Sequence, residues 1–169
     1  GREIALVMAQ GPGDASWRHV ASPFTGNLDF LAAVRAERPD AFLVFKEHPD
    51  LVAGLRPGAT DAAKARAICD LFLTGGDSAA LYPQVDEAHV MTSLSGFEAL
   101  LRGVRVACWG APFYAGWGLT QDRVSCPRRA RKLALDELVV AALGLYPACL
   151  DPASGVPCSA EDIMEKLAR

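Results

Sequence analysis

Several things are scarce in this sequence, and each scarcity removes a class of protein. Charge of one sign is scarce: 17 Lys and Arg stand against 20 Asp and Glu, a formal net charge of −3. No bulk field therefore draws the chain to nucleic acid or to an acidic lipid surface, and any anion must be bound locally. Long apolar runs are scarce too. The longest uncharged one, Leu138 to Leu150, contains Gly144 and Pro147 and falls short of the roughly 20 residues that span a bilayer, which reads as a soluble chain. The 5 cysteines, Cys69, Cys108, Cys126, Cys149 and Cys158, are odd in number and lack any C-x-x-C spacing, so neither a disulfide framework nor a zinc knuckle is expected, and a reducing cytoplasm fits. The sequence has no G-x-G-x-x-G, no G-x-x-x-x-G-K-[ST] and no G-x-S-x-G, which moves dinucleotide-binding, P-loop and α/β-hydrolase readings down. No His or carboxylate cluster has metal-ligand spacing, so no metal is argued. No charged leader opens the chain, and Gly1 leads almost directly into apolar residues, the look of a piece cut from something longer.

What is present is a chain of 169 residues, 51% apolar and 8% aromatic, the size of one globular domain with a sizeable core. Ile4 to Ala9, Ala41 to Phe45, Leu71 to Thr74, His89 to Met91 and Val104 to Trp109 read as short buried strands. Between them lie helical stretches: one from Asn27, a candidate cap, to Pro39, then Asp61 to Cys69, a turn at Ser78 to Tyr82, and Gly96 to Arg102. Asp136 to Leu145 and Ala160 to Ala168, with Ser159 as cap, follow a long irregular loop. Strands alternating with helices predict right-handed βαβ units, hence an α/β, Rossmann-like three-layer domain with a parallel sheet over residues 1–169. The Asp151-Pro152-Ala153-Ser154-Gly155 turn reads as a connector.

The unusual residues gather at the expected carboxyl ends of strands, the rim where open α/β sheets bind ligands. Gln10-Gly11-Pro12-Gly13-Asp14 follows the first strand. Lys46-Glu47-His48-Pro49 follows the second, with Pro49 holding His48 extended, Lys46 supplying a point charge and the imidazole an N–H donor. Thr92-Ser93-Leu94-Ser95-Gly96-Phe97-Glu98 opens a helix, where hydroxyls, free N–H groups at Gly96 and the helix dipole suit a phosphate. The same residues also spell a capping box from Ser95 to Glu98. Gly110 to Asp122 carries glycines, Pro112, Phe113, Tyr114 and Trp117 in a loop able to approach a ligand closely or to cover the sheet end. His19 and His89 have no comparable neighbours, and Cys108 and Cys126 read as packing residues.

Taken together, the K-E-H-P segment at 46–49, the S-L-S-G-F-E-A-L-L-R-G segment at 93–103 and the G-A-P-F-Y-A-G-W-G-L-T run at 110–120 resemble the bacterial capsular polysaccharide synthesis family of β-Kdo transferases. The resemblance implies the carboxyl-terminal, nucleotide-binding half of a two-Rossmann (GT-B) glycosyltransferase that takes Kdo from CMP-Kdo. It implies that His48, Ser93 and Ser95 hold the CMP phosphate, that Glu98 meets the ribose, and that Gln10, Tyr114 and Trp117 line the donor pocket, with Lys46, Pro49 and Gly96 in the same site. It places the catalytic carboxylate in the missing amino-terminal half and implies a lipid-linked saccharide acceptor, no nucleic acid, no cofactor, a cytoplasmic location and peripheral association of the full enzyme with the inner membrane face. Two alternatives stand beside it: a noncatalytic nucleotide-sugar-binding domain of a capsule assembly complex, and another GT-B enzyme that uses a UDP-sugar.

Overall fold

A computed structural model describes the chain except for Pro12, Asp14, residues 20–22, Arg56, Pro57 and Arg169, and the side chains of Arg18 and His19. Pro12 and Asp14 of the first rim loop thus lie outside the described residues. Strands β1 (Ile4–Met8), β2 (Phe42–Lys46), β3 (Leu71–Leu73), β4 (Glu87–Val90), β5 (Arg105–Cys108) and β6 (Gln121–Asp122) form one parallel sheet in the order β3-β2-β1-β4-β5-β6. Chain order runs outward from β1 through β2 to β3, then returns to β4 on its other side. That reversal makes the gap between β1 and β4 the topological switch point, where a crevice opens beyond the carboxyl ends of the strands.

The strands form because their apolar runs bury on both faces, as parallel sheets require. Ala5, Val7 and Ala9 of the β1 segment pack with Phe30, Leu31 and Val34 of α2 (Asn27–Glu37), Leu43 and Phe45 of β2, and Ala65 of α4 (Ala62–Ile68). Leu6 and Met8 alternate to the opposite face and are buried there. A fully buried Leu, Val or Phe side chain contributes about 1.5–3 kcal/mol. Helix α5 (Ser95–Leu100) packs against β4 and β5.

Short helices α1 (Ala15–His19) and α3 (Pro49–Val52) occupy stretches read from sequence as loop. Trp17 holds α1 down by packing on the core, its indole N–H donating to the Phe24 carbonyl at 3.2 Å. Asn27 does not cap α2, as Gly26 is the cap residue. Asn27 is instead the buried first residue of the helix, accepting from the Gln10 N–H at 3.0 Å and donating to its carbonyl at 3.1 Å. The Ser95–Glu98 capping box does not form either. Leu94 is the cap position of α5 without a side-chain bond, because Glu98 is drawn away to Tyr82. The irregular stretch after Trp109 contains β6, which the sequence did not suggest.

Where one domain over 1–169 is expected, the chain divides into two compact units, Gly1–Lys132 and Leu133–Arg169. The sheet lies wholly in the first. The second contains α6 (Leu135–Val139), which runs on as a π-helical turn over Val140–Leu145, and α7 (Ala160–Leu167). Ser159 caps α7, its hydroxyl accepting from the Asp162 N–H at 3.1 Å. No helix among the described residues is long and apolar enough to cross a membrane.

Candidate functional site

The switch point is closed from beneath by a neutral polar knot. Gln10, just past β1, is 2% exposed. Its Oε1 accepts from the Thr92 N–H at 3.0 Å, and its Nε2 donates to Thr92 Oγ1 at 2.6 Å and to Ser16 Oγ at 2.9 Å. Together with Asn27, this ties the ends of β1 and β4 to the starts of α1 and α2. Such fully satisfied networks rigidify what they join. Gln10, expected to line the donor pocket, bonds here to Thr92 and Ser16 and positions the rim loops from below.

His48 caps α3, with Nδ1 accepting from the Asp50 N–H at 3.2 Å. In the neutral imidazole an accepting Nδ1 leaves the proton on Nε2, so the ring turns a donor away from its own helix. Pro49 opens α3 at a position that needs no N–H. Beneath it, Glu47 is buried and grips two backbone donors: Oε1 accepts from the His48 N–H and Oε2 from the Thr60 N–H, each at 2.9 Å. No local signal marks Glu47 in the sequence, because a carboxylate between a lysine and a histidine is indistinguishable there from a solvated charge. Lys46 is the last residue of β2, 6% exposed, with Nζ donating to the Gly75 carbonyl at 3.4 Å. Its cation, expected beside the ligand, is buried and engaged by that carbonyl.

Past β4, Ser93 Oγ accepts from the Ser95 N–H at 3.2 Å and the Ser93 carbonyl accepts from the Gly96 N–H at 3.1 Å. Both serines are partly exposed. Tyr114 is fully buried, its hydroxyl donating to the same Ser93 carbonyl, and burial raises its pKa well above the ordinary tyrosine value. The ring lies so close over α5 that a Cβ at Gly96 would stand 2.3 Å from the Tyr114 oxygen and 2.8 Å from Val90 Cγ2. Tyr114 thus supports the serine loop from the core and cannot line a pocket. Gly96, itself buried, allows that close approach.

Glu98 accepts from the Tyr82 hydroxyl at 3.2 Å. Burial and this carboxylate push the Tyr82 phenol up to about 12. Trp117 is half-buried, donates to the Phe113 carbonyl at 2.8 Å and lies beneath the Arg129 guanidinium, 5.7 Å from its ring centroid. Cys108 is buried, and desolvation followed by Asp122 pushes its thiol up to about 12, the state of an unreactive packing residue.

His89 does have company. On the face covered by α2 it is fully buried beside Glu87, Nε2 to Oε2 at 3.3 Å, and Nδ1 accepts from the Trp109 indole at 3.1 Å. Arg38 reaches the same carboxylate at 2.7 Å. This group joins β4 to the end of α2 and to Trp109.

What the rim assembles is therefore narrower than the sequence suggested. His48 follows β2 and the Ser93–Ser95 loop follows β4, the two strands that flank β1 and whose axes lie about 10 Å apart. A cavity of about 510 Å³ is lined by Thr25, Gly26, Asn27, Gly58, Thr60 and Asp61, and not by His48 or the serines. It touches both Asn27 of the Gln10 knot and Thr60 of the Glu47 clamp. That volume is in the range of small-molecule sites. Among the described residues no group of His, Cys, Asp and Glu is arranged to hold a metal ion.

A doubly wound α/β domain with donors fixed on both sides of its switch point is a small-ligand-binding fold of the Rossmann type. The chain belongs to the family described as capsule polysaccharide biosynthesis protein, whose model matches residues 1–148. It is 42% identical over 168 residues to the capsule polysaccharide modification protein LipA of Neisseria meningitidis serogroup A, covering 99% of this chain and 24% of LipA. It is 42% identical over 147 residues to the lipopolysaccharide-processing protein LpsZ of Rhizobium meliloti, covering 86% of this chain and 33% of LpsZ. Two solved structures from Thermosulfurimonas dismutans share the fold. The KpsC β-Kdo 2,7 transferase is 39% identical with a TM-score of 0.87, over 98% of this chain and 53% of that one. The KpsC β-Kdo 2,4 transferase is 32% identical with a TM-score of 0.77, over 99% and 52%. The chain thus spans a quarter to a third of the curated relatives and about half of the solved chains.

Proposed function

We propose that this chain is the donor-binding half of a GT-B Kdo transferase, and that it grips the phosphate of CMP-Kdo between His48 and the Ser93–Ser95 loop. The observation that carries the reading is the held imidazole: with Nδ1 engaged by the Asp50 N–H, His48 presents an Nε2–H donor on the rim that also bears the serines. Cleavage of the bond between Kdo and CMP builds negative charge on the departing phosphate. Donors fixed around that phosphate stabilise the transition state more than the ground state, which is how such a site accelerates transfer. Glu98, tied through one oxygen to Tyr82, and the half-buried Trp117 serve the nucleoside side of the same ligand. The catalytic carboxylate, the lipid-linked saccharide acceptor and contact with the inner membrane face belong to the full-length enzyme in this reading.

The two relatives of solved structure that carry Kdo transferase in their names support the sugar, and the family supports a role in capsule polysaccharide synthesis. Calorimetric titration of the chain with CMP, UMP and UDP tests the donor. Saturable CMP binding at least tenfold tighter than that of either uridine nucleotide is expected. Equal binding of all three, or tighter binding of UDP, would contradict it and favour a UDP-sugar enzyme.

A further inference from the structure

In the second unit the chain doubles back on itself around residues 150–157. Leu150 and Pro157 form an antiparallel bridge, the Asp151 N–H donates to the Val156 carbonyl at 2.9 Å, and the Cys158 N–H donates to the Cys149 carbonyl at 3.1 Å. These bonds fix the register. Leu150 and Pro157 sit at a non-hydrogen-bonded pair, so Cys149 and Cys158 stand directly opposite one another at the next, hydrogen-bonded position, with side chains on the same face. Cα atoms at such a position are about 5.5 Å apart, inside the roughly 4.4–6.8 Å range that a disulfide bridges. Both cysteines are partly exposed, whereas Cys69 and Cys108 are buried and Cys126 is packed beneath Gly116. The pair is thus open to a small oxidant where two of the other thiols are not.

We propose that Cys149 and Cys158 are a redox modification site, which a small-molecule disulfide such as oxidised glutathione converts into an intramolecular disulfide closing the 150–157 turn. The Cys149 thiolate attacks one sulfur of the oxidant, forming a mixed disulfide and releasing one glutathione thiolate. The Cys158 thiolate then attacks the Cys149 sulfur and releases the second. The two protein thiols are oxidised, two glutathione thiols are formed, and the two protons pass to them. The turn is also the anchor of α7: Ser159 caps that helix immediately after Cys158, and Lys166 pairs with Asp151. The cross-link therefore fixes the entry to α7 by a bond that reduction removes.

The test is to incubate the chain with oxidised glutathione, alkylate remaining thiols, and digest with a protease that cuts at Asp151 before mass spectrometry. The expected result is a peptide pair joined through Cys149 and Cys158, with alkylation of both falling at least tenfold and restored by dithiothreitol. In Cys149→Ser the same treatment yields Cys158 carrying glutathione and no joined pair. Full alkylation of both cysteines after oxidation would overturn the proposal, and so would separate glutathione adducts on each or a cross-link from either to Cys126.

Discussion

Where the strands begin, arginines and carboxylates pair with one another as well as with backbone; where they end, side chains bind chiefly backbone and neutral partners. At the starting rim Asp70 accepts from Arg35 at 2.6 Å, from Arg2 at 3.0 Å and from the Leu43 N–H at 2.9 Å. Glu87 takes Arg38, and Arg105 takes Glu3. Desolvation would raise the Asp70 pKa, but these donors overcome it and hold the carboxyl at about 2. At the finishing rim Glu47, His48, Ser93 and Tyr114 bond main-chain groups of the loops, with the Gln10 knot below. Charge pairs fasten α2 and the strands together, while side-chain-to-backbone bonds fix loop shape and engage His48 through Nδ1. The two ends of the same strands thus carry different kinds of bond.

Substitutions at Gly96, Asp70, His48 and Thr92 test that contrast. Gly96→Ala should have the largest effect, about 3 kcal/mol by overpacking, since the new methyl would meet the Tyr114 ring and Val90. Urea unfolding would measure it, and Gly96→Ala with Tyr114→Phe should recover part of the loss. Asp70→Asn should cost on the order of 2 kcal/mol while leaving CMP affinity unchanged; a matching loss of affinity would show that the rims are not independent. The wild type carries the pH form of the same prediction. The Asp70 pKa is depressed in the folded state, so its contribution is complete above about 3.8 and is lost as pH falls from there through about 2, which acid unfolding of wild type against Asp70→Asn would reveal.

His48→Ala should weaken CMP binding by about 1–3 kcal/mol, the cost of one hydrogen bond to a charged group, with a further ~1 kcal/mol of stability lost from the α3 cap. His48→Ser should restore the cap and leave affinity low, separating the two roles by calorimetry and thermal melting. The smallest effect is expected of Thr92→Val, about 1 kcal/mol of stability as its bonds to Gln10 and Ser16 are lost.

The strands were legible because uninterrupted apolar runs such as Ile4 to Met8 have no better place than the middle of a parallel sheet, and their order of appearance predicted the layers. The rim was legible as an address. What sequence could not separate was a polar or aromatic group facing the ligand from one facing the protein. Tyr114 in a glycine-rich loop reads the same whether its ring lines a pocket or fills the core, and only the 2.3 Å approach to Gly96 decides. Gln10, Lys46 and Glu47 carry the same ambiguity, and each turns inward. Partners far apart in the chain, such as Asp70 with Arg2, leave no local pattern at all. Neither does β6, whose pairing with Ala107 and Cys108 rests on residues with no strand-like composition.

The most direct measurement is a crystal structure of the chain grown with CMP. The account predicts the phosphate at the end of β1, with an oxygen within about 3.2 Å of His48 Nε2 and others on the Ser93–Ser95 loop. A nucleotide seated elsewhere, with His48 Nε2 facing solvent and the serine hydroxyls unengaged, would contradict it.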